Sequence, residues 1–436
     1  MSKQLAYLFC ILFLLTDCQS DIQQVPSEAT YIPKTDALFS ALPPAQTGID
    51  FINQIEDQKD FNILNYRNFY NGGGVAIGDI NNDGLVDIYF TANLEANKLY
   101  LNKGDLQFED ISEKAGIKGT KAWSTGVSMV DINADGWLDI YVCNSGDIAG
   151  DNKENELYLN QQDGTFKEVA KAWGLNNAGF STHASFFDYD QDGDLDCYLL
   201  NNSFVSPDKI DLYTRSRTEM DKAGGDKLYR NDGTFFKDVT AEAGIYSSDI
   251  GFGLGVSVSD LNGDMLPDIY VSNDFWERDY LYRNLGNGKF VEELEARLSY
   301  TSLNSMGADI GDLNNDGQPE IMTTDMLPAD NFRRKSMTKF DPFHLIAAKK
   351  KAGYYYQTLQ NALHINKGNG DFQEVAFQKG IAATDWTWGA LFLDLNNDGW
   401  KDIFLSNGIN KDLTDFDFVD FIKDDENVKT IANASN

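Results

Sequence analysis

A chain of 436 residues with 42% hydrophobic content, 28 Phe and 20 Tyr can bury a large core, which excludes global disorder. The formal charge of −32, from 68 acidic against 36 basic residues, excludes nucleic acid as a partner, because phosphates are gathered by Lys and Arg. So much acid is either a solvated surface or a store of cation ligands, and its spacing along the chain distinguishes the two.

Lys3 precedes an apolar run from Leu5 to Leu15 that is too short to span a bilayer and has the layout of a secretory signal, residues 1–17. Leu15-Thr16-Asp17-Cys18 is similar to a bacterial lipobox, with Cys18 as the lipidated residue. Asp17 departs from that pattern, where a small uncharged residue is usual, so plain secretion is the alternative. Both readings export the chain: to the outer membrane or cell surface as a lipoprotein, otherwise to the periplasm or medium. Any membrane association then runs through the N-terminal lipid. Residues 18–47, with Pro26, Pro33, Pro43 and Pro44, read as a tether. Cys143 and Cys197 remain after processing. Strand alternation points them to opposite faces, which predicts core thiols and no disulfide.

From Gly48 to about residue 420 the chain is a repeat. Each unit opens with a short strand ending in Asp, as in Gly74 to Asp79, Gly126 to Asp131, Gly255 to Asp260, Gly307 to Asp312 and Gly389 to Asp394, with His183 to Asp188 in the third unit. An acidic loop leads to a second strand, such as Asp87-Ile88-Tyr89-Phe90. Five units add a third strand of the type Leu99-Tyr100-Leu101-Asn102 and a fourth built on Phe108, Phe166, Phe235, Phe290 or Phe372. An apolar period of two, broken by Gly and Asp about every ten residues, predicts strands rather than helices. Four short strands per unit predict an all-β propeller with six recognisable four-stranded blades. Gly48-Ile49-Asp50-Phe51 reads as an N-terminal fourth strand that completes the sixth blade and closes the ring. A seventh blade, from residues 50–70 and the C-terminus, is the open alternative. Residues 421–436 form an acidic, Asn-rich tail.

The first acidic loop, Asp79 to Asp87, places oxygen-bearing side chains at positions one, three, five and nine around Gly84 at position six. A hard cation such as Ca²⁺ takes six to eight oxygens, and a short loop presents them only by curling sharply, which Gly allows. Asx-rich turns form for other reasons too. Six loops in register, whose acids would repel one another without a counter-ion, favour Ca²⁺.

Six such loops between paired strands give the chain a resemblance to the FG-GAP/VCBS repeat proteins, whose calcium propeller also forms integrin α-subunit heads. Tyr70 to Asp79, Thr384 to Gly389, and Asn407-Gly408-Ile409 with Asp412 to Asp415 resemble the bacterial ASPIC/UnbV group related to cartilage acidic protein. The resemblance implies ligand sets position by position. The first is Asp79, Asn81, Asp83 and Asp87 with the Leu85 carbonyl, and the second Asp131, Asn133, Asp135 and Asp139 with Trp137. The third, Asp188, Asp190, Asp192 and Asp196 with Asp194, is the most anionic and is expected to fill first. The fourth, Asp260, Asn262, Asp264 and Asp268 with Leu266, carries Met265 where the others carry Gly, and is expected to be weakest or to curl differently. Asp312, Asn314, Asp316 and Glu320 with Gln318, then Asp394, Asn396, Asp398 and Asp402 with Trp400, complete up to six Ca²⁺ sites.

Strand order puts the calcium loops on one face and the long connections on the other. There lie Trp123, Trp276, Tyr354, Tyr355, Tyr356, Trp386 and Trp388, with the basic runs at Arg333-Arg334 and Lys349 to Lys351. These are the candidate contacts for a glycan or extracellular protein partner; packing of the inserts onto the ring is the competing explanation. No catalytic constellation is recognisable, so a non-catalytic binding module is expected. Because some calcium propellers are polysaccharide lyases, a calcium-dependent lyase is the enzymatic alternative.

Overall fold

The computed structural model describes residues 39–63, 66–146, 153–205, 216–221, 224–338, 341–412 and 414–423. The signal sequence, Cys18, most of the tether and all but the first three residues of the tail lie outside these. The chain divides into two units, Met1–Pro43 and Pro44–Asn436, and every described strand and helix belongs to the second.

Alternating side chains with an Asx-Gly bend every ten or so residues produce five sheets of four antiparallel strands, each in sequential order. The first sheet comprises Val75–Gly78, Asp87–Phe90, Lys98–Asn102 and Phe108–Asp110. The next four open with Ser124–Val130, Phe180–Phe187, Gly253–Ser259 and Gly307–Gly311. Among the described residues the sixth has only Thr387–Leu393 and Asp402–Asn407. First strands of successive sheets are neighbours. Residues within or immediately before all six first strands, Gly74, Gly126, His183, Leu254, Met306 and Trp388, line one pocket of about 210 Å³. This is a β-propeller whose innermost strands are packed very tightly. A Cβ on Gly126 would lie 2.8 Å from Nδ1 of His183 in the next blade, so only Gly permits the approach.

The core is a series of layers between consecutive blades, not one central mass. Tyr89 and Leu99 of blade one meet Val127, Ile140 and Val142 of blade two. Leu363 and Met322 of blade five meet Ala390 and Phe392 of blade six. Cys143 and Cys197 are free and buried, as expected, but they share the layer between blades two and three. Opposite faces of adjacent blades turn toward each other, so alternation alone does not separate them.

Three sequence expectations need correction. Gly48 to Phe51 is not a strand of the sixth blade. Pro44–Thr47 is a single helical turn, and Gly48 (φ 76°) packs over the carbonyl of Phe108 in blade one. Gly174 and Gly244 lie in the same way, 2.8 and 2.9 Å (to the Cβ each lacks) from the carbonyls of Phe236 and Phe290. Each follows a one-turn helix, Ala170–Trp173 or Thr240–Ala243, that leaves a fourth strand. Thr47-Gly48-Ile49 therefore takes the place that Ala115-Gly116-Ile117 and Ala243-Gly244-Ile245 take after a one-turn helix, packed on the fourth strand of the next blade. Second, the fourth strand of blade three is built on buried Phe236, while Phe235 is exposed. Third, the described part of residues 50–70 contains no strand and adds no seventh blade.

Candidate metal loops and the opposite face

Every acidic loop joins a first strand to a second, and all six share one curl. In loop one, the N–H groups of Asp83 and Gly84 donate to Asp79 at 3.2 and 2.7 Å. The N–H of Leu85 donates to Asp83 at 2.9 Å. The same bonds recur at Asp131, Asp312 and Asp394. The Gly399 N–H foremost among them holds the Asp394 carboxyl below the usual range.

Position six is left-handed throughout, and so is position four: Asn82, Ala134, Gln191, Gly263, Asn315 and Asn397 all have positive φ. Position four was not legible because Asn82, Asn315 and Asn397, which tolerate that conformation, serve equally well as ordinary turn residues, and Ala134 and Gln191 give no signal. In loop four the glycine has moved there, and Met265 takes φ 67° at position six. The Met265 N–H still donates to Asp260 at 2.8 Å, so the expectation of a different curl does not hold. Strain at Met265 is partly offset by relief at Gly263.

Position nine has a second role that spacing did not reveal. Asp87 is buried, and its two oxygens accept from the N–H groups of Ile80 and Asn102, at 3.0 and 2.7 Å. It thereby ties the loop to the third strand. Asp139, Asp196 and Asp268 repeat this with Asn160, Asn231 and Asn284. Burial, reinforced by the loop's other acids, pushes Asp139 and Asp196 up to about 7 and Asp268 to about 6, against the opposing backbone donors. Asp87 and Glu320 are raised for the same reason. Each carboxylate retains lone pairs beyond those bonds.

The third loop stands apart. In loops one, two, four and six the position-three Asn amide donates to the position-five carboxylate, as Asn81 does to Asp83 at 2.9 Å. Asp190 cannot donate. Oxygens of Asp188, Asp190 and Asp196 lie within 4.8 Å of one another, and Oδ1 of Asp190 is buried without a partner. Burial and the neighbouring acids raise the Asp190 pKa. An all-oxygen, strongly anionic donor set with an orphaned buried oxygen suits a hard divalent cation.

On the other face the aromatic candidates divide. Trp123 is buried beside Phe61, Tyr66 and Phe69, and Tyr354 beside Ile250 and Phe252, so neither offers a free surface. Both are large rings on connections that fold back onto the propeller, and sequence alone does not separate that from exposure. Tyr355 is half-buried and donates to the Leu298 carbonyl at 2.8 Å. Trp276 lies under the Lys349 ammonium, 4.4 Å from its ring centroid. Trp386 and Trp388 sit 6.0 Å apart, and Trp388 donates to the Gly408 carbonyl. Arg333 is held by Asp385 and Asp412, and Lys349 by Asp341 at 2.6 Å. These cations secure the insert that contains helices Asn331–Met337 and Phe343–Lys351. Arg334, Tyr355 and Tyr356, with Lys349, Gln357 and Phe377, line a cavity of about 390 Å³. Tyr356 and Phe377 are exposed at its rim.

Blades of four strands with an acidic bend between the first two define a class of repeat propellers. The FG-GAP-like repeat family matches residues 79–142, 147–199, 260–323 and 352–405, more than half of the chain, and the chain belongs to that family. Cartilage acidic protein 1 of Xenopus tropicalis is 27% identical over 211 residues, 47% of this chain and 29% of that protein. The Homo sapiens protein of the same name is 27% identical over 208 residues, 47% and 28% of the two chains. The matched region thus spans under a third of the length of these relatives. Among solved structures, an Agrocybe aegerita lectin described as recognising non-reducing terminal N-acetylglucosamine aligns at 17% identity and TM-score 0.42, covering 76% of this chain and 73% of its own. The V. cholerae biofilm matrix protein Bap1 aligns at 13% identity and TM-score 0.35, covering 70% and 39%. Among the described residues no helix is long and apolar enough to cross a membrane.

Proposed function

We propose that this protein is an exported, calcium-binding, non-catalytic module that binds a glycan or protein through the face opposite its calcium loops. The observation that carries the calcium reading is the third loop, where three carboxylates converge and one buried oxygen lacks a partner. Ca²⁺ there would be held by Asp188, Asp190, Asp192 and Asp196 with the Asp194 carbonyl, and the other five loops would use the corresponding positions. The ion supplies charge neutralisation. The protein's own part is to hold each position-nine carboxylate between strands with backbone donors, so that filling a loop stiffens the first three strands of its blade.

The partner reading is supported by the 390 Å³ cavity, a size that suits small-molecule recognition, with aromatic rings and a few polar groups at its wall. Of the Tyr, Lys and Arg side chains that a lyase would recruit at this cavity, Lys349 is engaged by Asp341, while Arg334, Tyr355 and Tyr356 line the wall, so the lyase is the second reading. A glycan panel, read for retention with and without calcium and for soluble unsaturated products, tests this. Retention that falls for Tyr356→Ala supports the reading, soluble product replaces it with the lyase, and retention of a protein alone narrows the partner to protein.

A further inference from the structure

We propose that the 390 Å³ cavity takes an acidic glycan, and that Arg334 receives the carboxylate of one of its sugar residues. This rests on the reading of that cavity as the partner site and names the class of partner.

The first observation is charge. The stretch 327–356, which supplies more than half of the wall, holds seven basic residues against two acids, in a chain of net charge −32. Two of the basic residues are engaged by acids: Arg333 by Asp385 and Asp412, Lys349 by Asp341. Arg334 is held differently. Its Nε and Nη2 donate to the carbonyls of Pro328 and Ala329 at 2.9 and 3.3 Å, and among the described residues no carboxylate pairs with it. Those bonds fix the plane of the half-buried guanidinium and leave Nη1 with both its donors. A carboxylate that reaches it gains a charge-assisted bond, and the side chain is already ordered.

The rest of the wall describes the body that carries the carboxylate. Oγ1 of Thr338 is buried without a hydrogen-bond partner and lines the same cavity. Asp341, bonded to Lys349 at 2.6 Å, retains lone pairs that accept from hydroxyl groups. Leu303, Leu327, Ile346 and Leu359 supply apolar surface between these groups, and the rings of Tyr356 and Phe377 are exposed at the rim. A pyranose ring divides in the same way, with hydroxyls at its edge, C–H faces that lie on aromatic rings and, in a uronate, a single carboxylate. The volume lies near the lower end of the range of about 300–1,000 Å³ for ligand pockets, which suits one or two sugar residues. Among the described residues Arg334 is the one cation of the wall without an acid beside it. That matches one carboxylate per sugar, whereas the field of so acidic a chain repels a heavily sulfated polymer.

Oligomers of galacturonate, glucuronate and mannuronate, each beside its carboxyl-reduced neutral form, can be titrated onto the full chain by calorimetry at one calcium concentration. At least one uronate oligomer is expected to bind at one per chain, with its neutral form weaker by about tenfold or more. Arg334→Gln should weaken the uronate by a similar factor with an unchanged melting temperature. Thr338→Val should weaken it less, and Lys335→Gln, the same charge change on an exposed residue outside the wall, should leave it unaltered. If Arg334→Gln melts lower, Thr338→Val, which breaks no hydrogen bond of the fold, carries the test. Equal affinity for the neutral forms, lost in Tyr356→Ala, would overturn the acidic class and keep a glycan partner. No binding by any oligomer would overturn the proposal, and the wider glycan panel then decides the partner reading separately. Uronates also chelate Ca²⁺, so binding that Arg334→Gln and Thr338→Val leave unchanged places the carboxylate elsewhere and overturns it too. Competition by a peptide with a free C-terminus, but not by its amide, would assign the cavity to a polypeptide instead.

Discussion

Replacing His364 by Leu should stabilise the protein more at pH 5 than at pH 8. His364 sits on the third strand of blade five opposite Ile321 and Glu374, fully buried, and neither ring nitrogen has a hydrogen-bond partner. Its burial lowers the imidazole pKa from 6.5 to about 3. A depressed native pKa means that stability is complete above the unfolded value and is lost as pH falls from 6.5 toward 3. At pH 5 the unfolded imidazole is protonated and the native one is not. The resulting cost is about 2 kcal/mol, from 1.36 kcal/mol for each of roughly 1.5 pH units. Leu removes this cost and also a pH-independent penalty for the unpartnered ring nitrogens. Buried Asp325 acts in the opposite sense: pushed up to about 7 by burial, it contributes stability at low pH that is lost as pH rises through that value. Both proteins carry it, so it cancels in the comparison. Urea unfolding of the two proteins at pH 5 and pH 8, at one calcium concentration, measures the difference. An equal gain at both pH values would refute the assignment of a neutral, buried His364.

Three further substitutions test the packing and the loops. Gly126→Ala should destabilise by about 2 kcal/mol or more, seen as a lower melting temperature, because the new methyl meets the backbone and ring of His183. Met265→Gly should raise stability by about 0.5–1 kcal/mol in thermal melts and tighten calcium at loop four, since the left-handed strain at Met265 exceeds the added freedom of the unfolded chain. Asp190→Asn gives loop three the amide bridge of its neighbours. The calcium-free protein should then melt higher and one calorimetric site should weaken, and a lower calcium-free melting temperature would count against crowding of acids in that loop.

Strand positions and loops were readable because two local rules coincide there: an apolar period of two, and a bend that needs Asx and Gly at fixed places. The same local chemistry hid what depends on distant partners. Asp87 as a tie to Asn102 follows from a third strand that arrives fifteen residues later. Gly48 resembles the start of a strand in sequence because the strand it packs on, Phe108–Asp110, lies far along the chain, although Thr47-Gly48-Ile49 repeats a visible triplet. Trp123 and Tyr354 mark the limit on the partner face. A large ring on a connection serves an internal layer as readily as a ligand, and only three-dimensional packing decides. Tyr356, on the same connection as Tyr354, is the one left at a cavity rim.

The most direct measurement is the melting temperature of the purified protein in excess chelator and across a calcium titration. Ions that occupy the strand-joining loops should raise it saturably, each site adding about 2.7 kcal/mol at a hundredfold excess over its dissociation constant. Identical melting in chelator and in millimolar calcium would contradict the role given to the six acidic loops.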